Sequence, residues 1–454
     1  MKSLIGDKKF YRMVLIVCIP IVIQNGFTNL ASLLDNIMIG QLGTLSMSGV
    51  SISNQLFQVF NVSVFGAMSG AGIFLAQFYG RGNRDGVHNC FRIKMLLGIL
   101  ISILAICIFK LLGPSLISLY LNDDPTDSMT TLSFGKQYMD VMLIGLIPFA
   151  ITQVFSSSLR ETGNTVLPMK ASVIAVIVNF CINYILIFGH FGFPSLGVIG
   201  AAIGTVVSRI VEMGINIAAG LNNNYLRDAM RLDKISGDIF VNVVKRGTPL
   251  LCNEILWSIS IALISQCYST RGLSAVAAIN ITTTVTNFFM IICYAMGNSI
   301  SIIVGQRLGA GEIEYAKDCD LKMVFMNFMM CTCIGVALFG CSPFIPQIYN
   351  TSIEVKSLAT SLLRVSACML PIISLYYSSY FTMRAGGKTL LTFFFDSGYT
   401  FIFTFMVALC LTRFTNLPIF YVYLLVQCVD IPKAILGITL VKKGIWVHNI
   451  VNEL

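Results

Sequence analysis

The stretch QFYGRG at residues 77–82 returns in outline as QRLGAG at residues 306–311. Gln77, Gly80 and Gly82 are matched by Gln306, Gly309 and Gly311, each 229 positions later. Each copy closes a long apolar run and opens a polar one. The same offset pairs Pro20 with Pro249, Gly43 with Gly272, Pro114 with Pro343 and Tyr120 with Tyr349. It then falls to 224, where Arg160, Gly163, Thr165 and Leu167 align with Arg384, Gly387, Thr389 and Leu391. The first half carries five extra residues near NDDPTD (122–127). Chance recurrence of glycine does not produce so many matches at one offset. The chain is two copies of one unit.

Charged residues are 11% of the chain, where a soluble protein carries about a quarter. Hydrophobic residues are 56% and the mean hydropathy is +0.81. A soluble fold of 454 residues could not hide that much apolar surface, so the chain reads as an all-α polytopic membrane protein. Apolar runs of spanning length fall at 13–38, 50–78, 95–113, 138–158, 168–189, 197–220, 248–269, 277–305, 323–345, 360–382, 390–411 and 416–440. That makes six transmembrane helices per copy. An even number brings both copies in from the same side, as parallel repeats. The expected organisation is an N-terminal six-helix lobe (1–220), a cytoplasmic linker (221–247) and a C-terminal lobe (248–454). Parallel repeats around a midplane cleft are a transporter arrangement. The basic N-terminus MKSLIGDKKFYRM shows no short apolar leader with a small-residue cleavage site, so the first run is expected to be a retained helix.

The basic residues divide unevenly. With a cytoplasmic N-terminus, the outer loops hold Lys110, Lys136, Arg271, Lys356, Arg364 and Arg413. Arg209 and Lys433 lie within spans, and every other Lys or Arg falls on the inner side. The positive-inside rule then places both termini in the cytoplasm. The net charge of +9 is a topology signal, and no nucleic-acid partner is expected. The cysteines sit mostly in apolar runs, without a Cys-x-x-Cys pair, and read as small buried hydrophobes. DDPTD (123–127) resembles an acidic magnesium motif, but it occurs once and on the outer side. AGGKT (385–389) lacks the first glycine of a phosphate loop, since Thr382 stands in its place. The three histidines are scattered, and no metal site is expected. The chain is read as no enzyme and as needing no cofactor; its energy must come from a proton or sodium gradient.

Several stretches carry a family resemblance: LLDNIMIGQLG (33–43), SGAGIFLAQFYGRG (69–82), LRETGNTVLPM (159–169), VNFCINYILIFG (178–189) and GVIGAAIGTVVSR (197–209). IVGQRLGAG and MRAGGKT echo them in the second half. The chain resembles the multidrug and toxic compound extrusion (MATE) transporters, within the superfamily that also holds polysaccharide and lipid flippases. The resemblance covers essentially the whole chain. It implies two six-helix lobes around a central cleft, opening alternately to each side. It also implies multidrug efflux: export of organic cations or amphiphiles in exchange for protons or sodium, in a bacterial plasma membrane and by a monomer. The alternative is a flippase for a lipid-linked cell-envelope precursor. Such a flippase favours a groove rich in Lys and Arg, which these spans lack.

Charges inside spans cost roughly 2.5–3.5 kcal/mol each on insertion scales, so those that remain are candidates for function. Asp35 lies late in the first span, where MATE proteins carry a functional acid. Glu254, at the start of the seventh, resembles the cation-site glutamate of one branch of the family; its repeat-mate is Asn25. Asp396, in FFFDSG, is a third coupling candidate or a structural hydrogen-bond partner. Gln24, Asn25, Asn179 and Asn183 are expected to make a polar cleft. Asn179 and Asn183 share one helix face. Asn183 stands where the proton-coupled branch commonly has Asp, which moves weight onto Asp35 and Glu254. Tyr376, Tyr377 and Tyr380 are candidate substrate lining. Arg209 with Glu212, and Asp430 with Lys433, are spaced to neutralise one another on one helix face. Pro20, Pro148, Pro249 and Pro371 interrupt their spans as kinks or bending sites.

Overall fold

In a computed structural model, residues 4–121, 125–231 and 234–453 are described; Asp123 and Asp124 of the acidic motif lie outside them. Among the described residues there is no strand, and twelve helices are long and apolar enough to cross a membrane. They are α1 (Lys8–Gly40), α2 (Thr44–Arg81), α3 (Arg84–Ser118), α4 (Thr126–Glu161), α5 (Val166–Phe188), α6 (Val198–Leu221), α7 (Gly237–Ser269), α8 (Leu273–Gly309), α9 (Ile313–Cys341), α10 (Ile353–Ala385), α11 (Thr389–Phe414) and α12 (Ile419–Lys442). They match the twelve expected spans one for one.

Most of the helices overrun the apolar runs that announced them. The start of α7 differs most: it begins at Gly237 with Asp238 in its first turn, inside the stretch expected to be linker. A carboxylate there suits the positive end of the helix dipole. Hydropathy finds the bilayer-length core of such a helix and misses its polar extension. Elsewhere the ends follow local chemistry. The Asn83 side chain caps α3 by accepting from the Gly86 amide at 2.9 Å, and Ser352 caps α10 through the Val355 amide at 3.3 Å.

The prolines act differently from one another. Pro20, Pro249 and Pro371 lie inside helices that continue through them. Pro148 follows a 3₁₀ turn at Leu143–Gly145, as expected where a proline ring crowds the carbonyl four residues back. Two stretches of α11, Phe394–Gly398 and Thr400–Phe405, wind as π-helix. Large apolar side chains such as Leu104 and Leu111 on α3 and Val336 on α9 stand exposed, as bilayer-facing residues do.

The chain forms two compact units. Unit one holds residues 1–22, 76–82 and 245–454; unit two holds 23–75 and 83–244. The units are not the two sequence halves, because the start of α1 and the end of α2 belong with the second repeat. The end of α2 shows why QFYGRG recurs. A side chain at Gly80 would collide with the Gln306 carbonyl, and one at Gly309 with the Gln77 carbonyl. The two glycines thus let the repeated motifs meet backbone to backbone, each against the other. Gly82 and Gly311, with φ of +74° and +79°, take the left-handed turn that ends each helix. Gln77 is fully buried and satisfied. Its amide donates to the carbonyls of Ala385 at 3.0 Å and His448 at 3.3 Å, and its oxygen accepts from the Ile450 amide at 2.9 Å.

Candidate functional site

In unit two, α1 and α5 bring Asp35 and Asn183 together. The Asn183 amide donates to Asp35 Oδ1 at 2.7 Å and lies 3.4 Å from Asn179 Oδ1. The Asn179 amide in turn reaches Thr205 Oγ1 on α6 at 3.4 Å. The four-residue spacing of Asn179 and Asn183 stacks their amides on one face, and Gly204 leaves the room that Asn183 needs. A second chain runs beside it. Gln24 donates to Ser172 Oγ at 2.8 Å, and Ser172 donates to Glu212 Oε1 at 2.5 Å. Arg160 approaches the Gln24 oxygen at 3.5 Å. Asn25 is half-buried and is a member of neither chain.

In unit one, Glu254 lies in the middle of α7, because that helix starts well before its apolar run. It accepts from the Tyr380 hydroxyl on α10 at 3.2 Å. Asp396 on α11 is ion-paired with Lys433 on α12 at 2.8 Å, and its other oxygen accepts from Asn253 at 3.1 Å. Tyr376 lies beneath the Lys433 ammonium, 4.5 Å from Nζ to the ring centroid. Tyr377 shares a hydrogen bond with Tyr294 at 3.0 Å. The three tyrosines are therefore held by three different neighbours.

Neither sequence pairing is a direct contact, although Arg209 still faces Glu212 and Lys433 still faces Asp430 electrostatically. Lys433 takes Asp396 on the neighbouring helix rather than Asp430 on its own. Arg209 lies over the Phe149 ring and donates to the Gly145 carbonyl, while Glu212 accepts from Ser172. In both cases a helix neighbour three residues away loses to a partner across the packing interface, where long side chains are ordered by burial. Lys94, counted among the inner loop residues, is fully buried in α3 and paired with Glu161 at 2.5 Å. Sequence reading also missed Asp320, fully buried on α9, whose Oδ1 accepts from Thr382 at 2.6 Å. Neither residue carried a local signal, since each stands just before an apolar run and looks interfacial. Asn253 could have been found: it is the repeat-mate of Gln24 at the 229-residue offset.

The two networks are related by the repeat. Gln24, Ser172 and Glu212 correspond to Asn253, Asp396 and Lys433, at offsets of 229, 224 and 221. The scaffold is shared, and the charges are not.

Fold and site together define a polytopic membrane protein of two parallel six-helix repeats, each with acidic groups held inside its spans. The MatE family model matches residues 20–185 and again 249–410, one copy per repeat and starting 229 positions apart. The chain belongs to the MatE family. It is similar to a probable multidrug resistance protein NorM of Thermotoga maritima, 26% identical over 377 residues that cover 82% of this chain and 79% of that one. It is similar to the multidrug resistance protein MdtK of Pectobacterium atrosepticum, 23% identical over 77% of this chain and 76% of that one. Among solved structures, an outward-facing conformation of a multidrug resistance MATE family transporter of the MOP superfamily matches with a TM-score of 0.88. That match covers 97% of both chains at 19% identity and shows the shared fold.

Proposed function

We propose that this protein is a secondary efflux transporter that exports organic cations or amphiphilic drugs in exchange for protons or sodium. One observation carries the reading. Asp35 and Glu254 lie inside spans and take hydrogen bonds from neutral partners, the Asn183 amide and the Tyr380 hydroxyl, with the Arg209 and Arg384 guanidiniums facing them. Asp396 instead already carries the Lys433 ammonium, which a cation arriving there must displace. A carboxylate held by a neutral partner keeps its charge for an arriving cation, and a proton or sodium competes with a drug for that charge. The family membership and the names of the relatives support the same reading. Efflux of one cationic dye from vesicles under imposed proton and sodium gradients tests it. Export is expected under one of the two gradients; none under either would sink the proposal.

The same proposal places both termini in the cytoplasm, from the distribution of Lys and Arg. A cysteine at exposed Asn224, between α6 and α7, is expected to resist impermeant thiol reagents in intact cells. One at exposed Phe193, between α5 and α6, should react readily. Both are compared in a background without reactive native cysteines. Equal labelling at the two positions would reject the orientation.

A further inference from the structure

The ammonium of Lys433 is not merely paired; it is caged. Nζ lies 2.8 Å from Asp396 Oδ1, 3.4 Å from the Asp396 carbonyl and 3.2 Å from Thr400 Oγ1. Three rings surround it, with centroids at 4.5 Å for Tyr376, 5.8 Å for Phe395 and 5.9 Å for Tyr399. Carboxylate, carbonyl, hydroxyl and aromatic faces at these distances are what a small ammonium-type cation binds.

Irregular backbone builds this cage. The π-helical stretches of α11 lie on either side of Tyr399, and such bulges gather at functional sites. On α12 the carbonyl of Val429, which keeps helical dihedrals, accepts from the Tyr399 hydroxyl at 2.9 Å. Asn253 steadies the far oxygen of Asp396 and is itself fixed by the Ser397 amide and hydroxyl.

The other repeat shows that packing alone does not demand an ammonium here. Unit two has Glu212 in place of Lys433 and Ser172 in place of Asp396, joined by one hydrogen bond. Lys433 also has a second carboxylate within its range. Asp430 is one turn earlier on α12, and residues so spaced have Cβ atoms about 5–6 Å apart. A clamp between α11 and α12 would need neither the three rings nor this second acid.

We propose that Lys433 is the resident cation of an organic-cation site on Asp396. An incoming monovalent organic cation takes its place on the carboxylate and the rings, while the ammonium swings to Asp430. Both cations then have a carboxylate. This inference rests on the transport reading above and assigns it a specificity residue.

Equilibrium binding of tetramethylammonium to the purified full chain tests it. Lys433→Gln removes the resident charge from the cage, and affinity is expected to rise about tenfold. Asp396→Asn in that background should abolish the gain. Lys433→Arg keeps a cation in place and holds the carboxylate by two parallel bonds, so affinity should fall about tenfold even if the glutamine variant does not fold. Asp430→Asn removes the acceptor and should also weaken binding. Unchanged affinity in Lys433→Arg and Asp430→Asn would overturn the proposal, as would a folded Lys433→Gln that binds no more tightly. Dye export by wild-type vesicles separates the two readings. Export with variant-insensitive binding refutes the cage alone, and cage-dependent binding without export refutes transport alone.

Discussion

Asp35→Asn and Glu254→Gln are each expected to yield inserted, folded protein, and at least one of them to lose gradient-driven efflux by tenfold or more. Antiport needs a site whose occupation by ion and by substrate is mutually exclusive. A carboxylate supplies it: ionised, it attracts a cationic drug; protonated or sodium-bound, it does not. The coupling is reciprocal, so the ion weakens drug binding as much as the drug weakens ion binding, typically about 5–150-fold. The amide variants remove titration and little else. The carbonyl of Asn at position 35 can still accept from Asn183, and that of Gln at position 254 from Tyr380, as the carboxylates do now. In the affected variant, drug affinity should no longer respond to pH or sodium. Binding to purified protein from mildly acid to mildly alkaline pH, with and without sodium, reads this beside efflux in vesicles. Wild-type export by both variants would remove both residues from coupling. Asp396, whose carboxylate an ammonium already holds, would be next.

The second large effect is on stability. Glu161→Ala is expected to cost about 3–5 kcal/mol, because it strands the fully buried Lys94 ammonium on the hydroxyls of Ser157 and Ser158 alone. Replacing both members with Met should recover most of the loss, since an apolar pair of similar volume carries no uncompensated charge. Thermal unfolding of the purified variants decides it. A Glu161→Ala variant as stable as wild type would mean that the ammonium finds water or another acceptor. A double variant no better than the single would mean that packing against Gly72, which Glu161 crowds, is what counts.

The bilayer made much of this fold legible in the sequence. A spanning helix needs a run of about 20 apolar residues, so twelve runs announced twelve helices, and a repeated pattern of Pro, Gly and Gln announced two units. The glycines of QFYGRG and QRLGAG could be read as helix-ending turns, because positive φ is a local demand. Their mutual contact could not, because 229 residues separate the partners. The same holds for the site. That Asp35, Glu254, Asp396 and Lys433 lie inside spans followed from their apolar surroundings. Which of them meet did not. Asp35 reaches Asn183 across 148 positions and Lys433 reaches Asp396 across 37, where local spacing had offered Asp430. A lysine side chain is long enough to serve either carboxylate. Only the packed structure decides between them, by placing a carboxylate, a hydroxyl and three aromatic faces around the ammonium at Asp396.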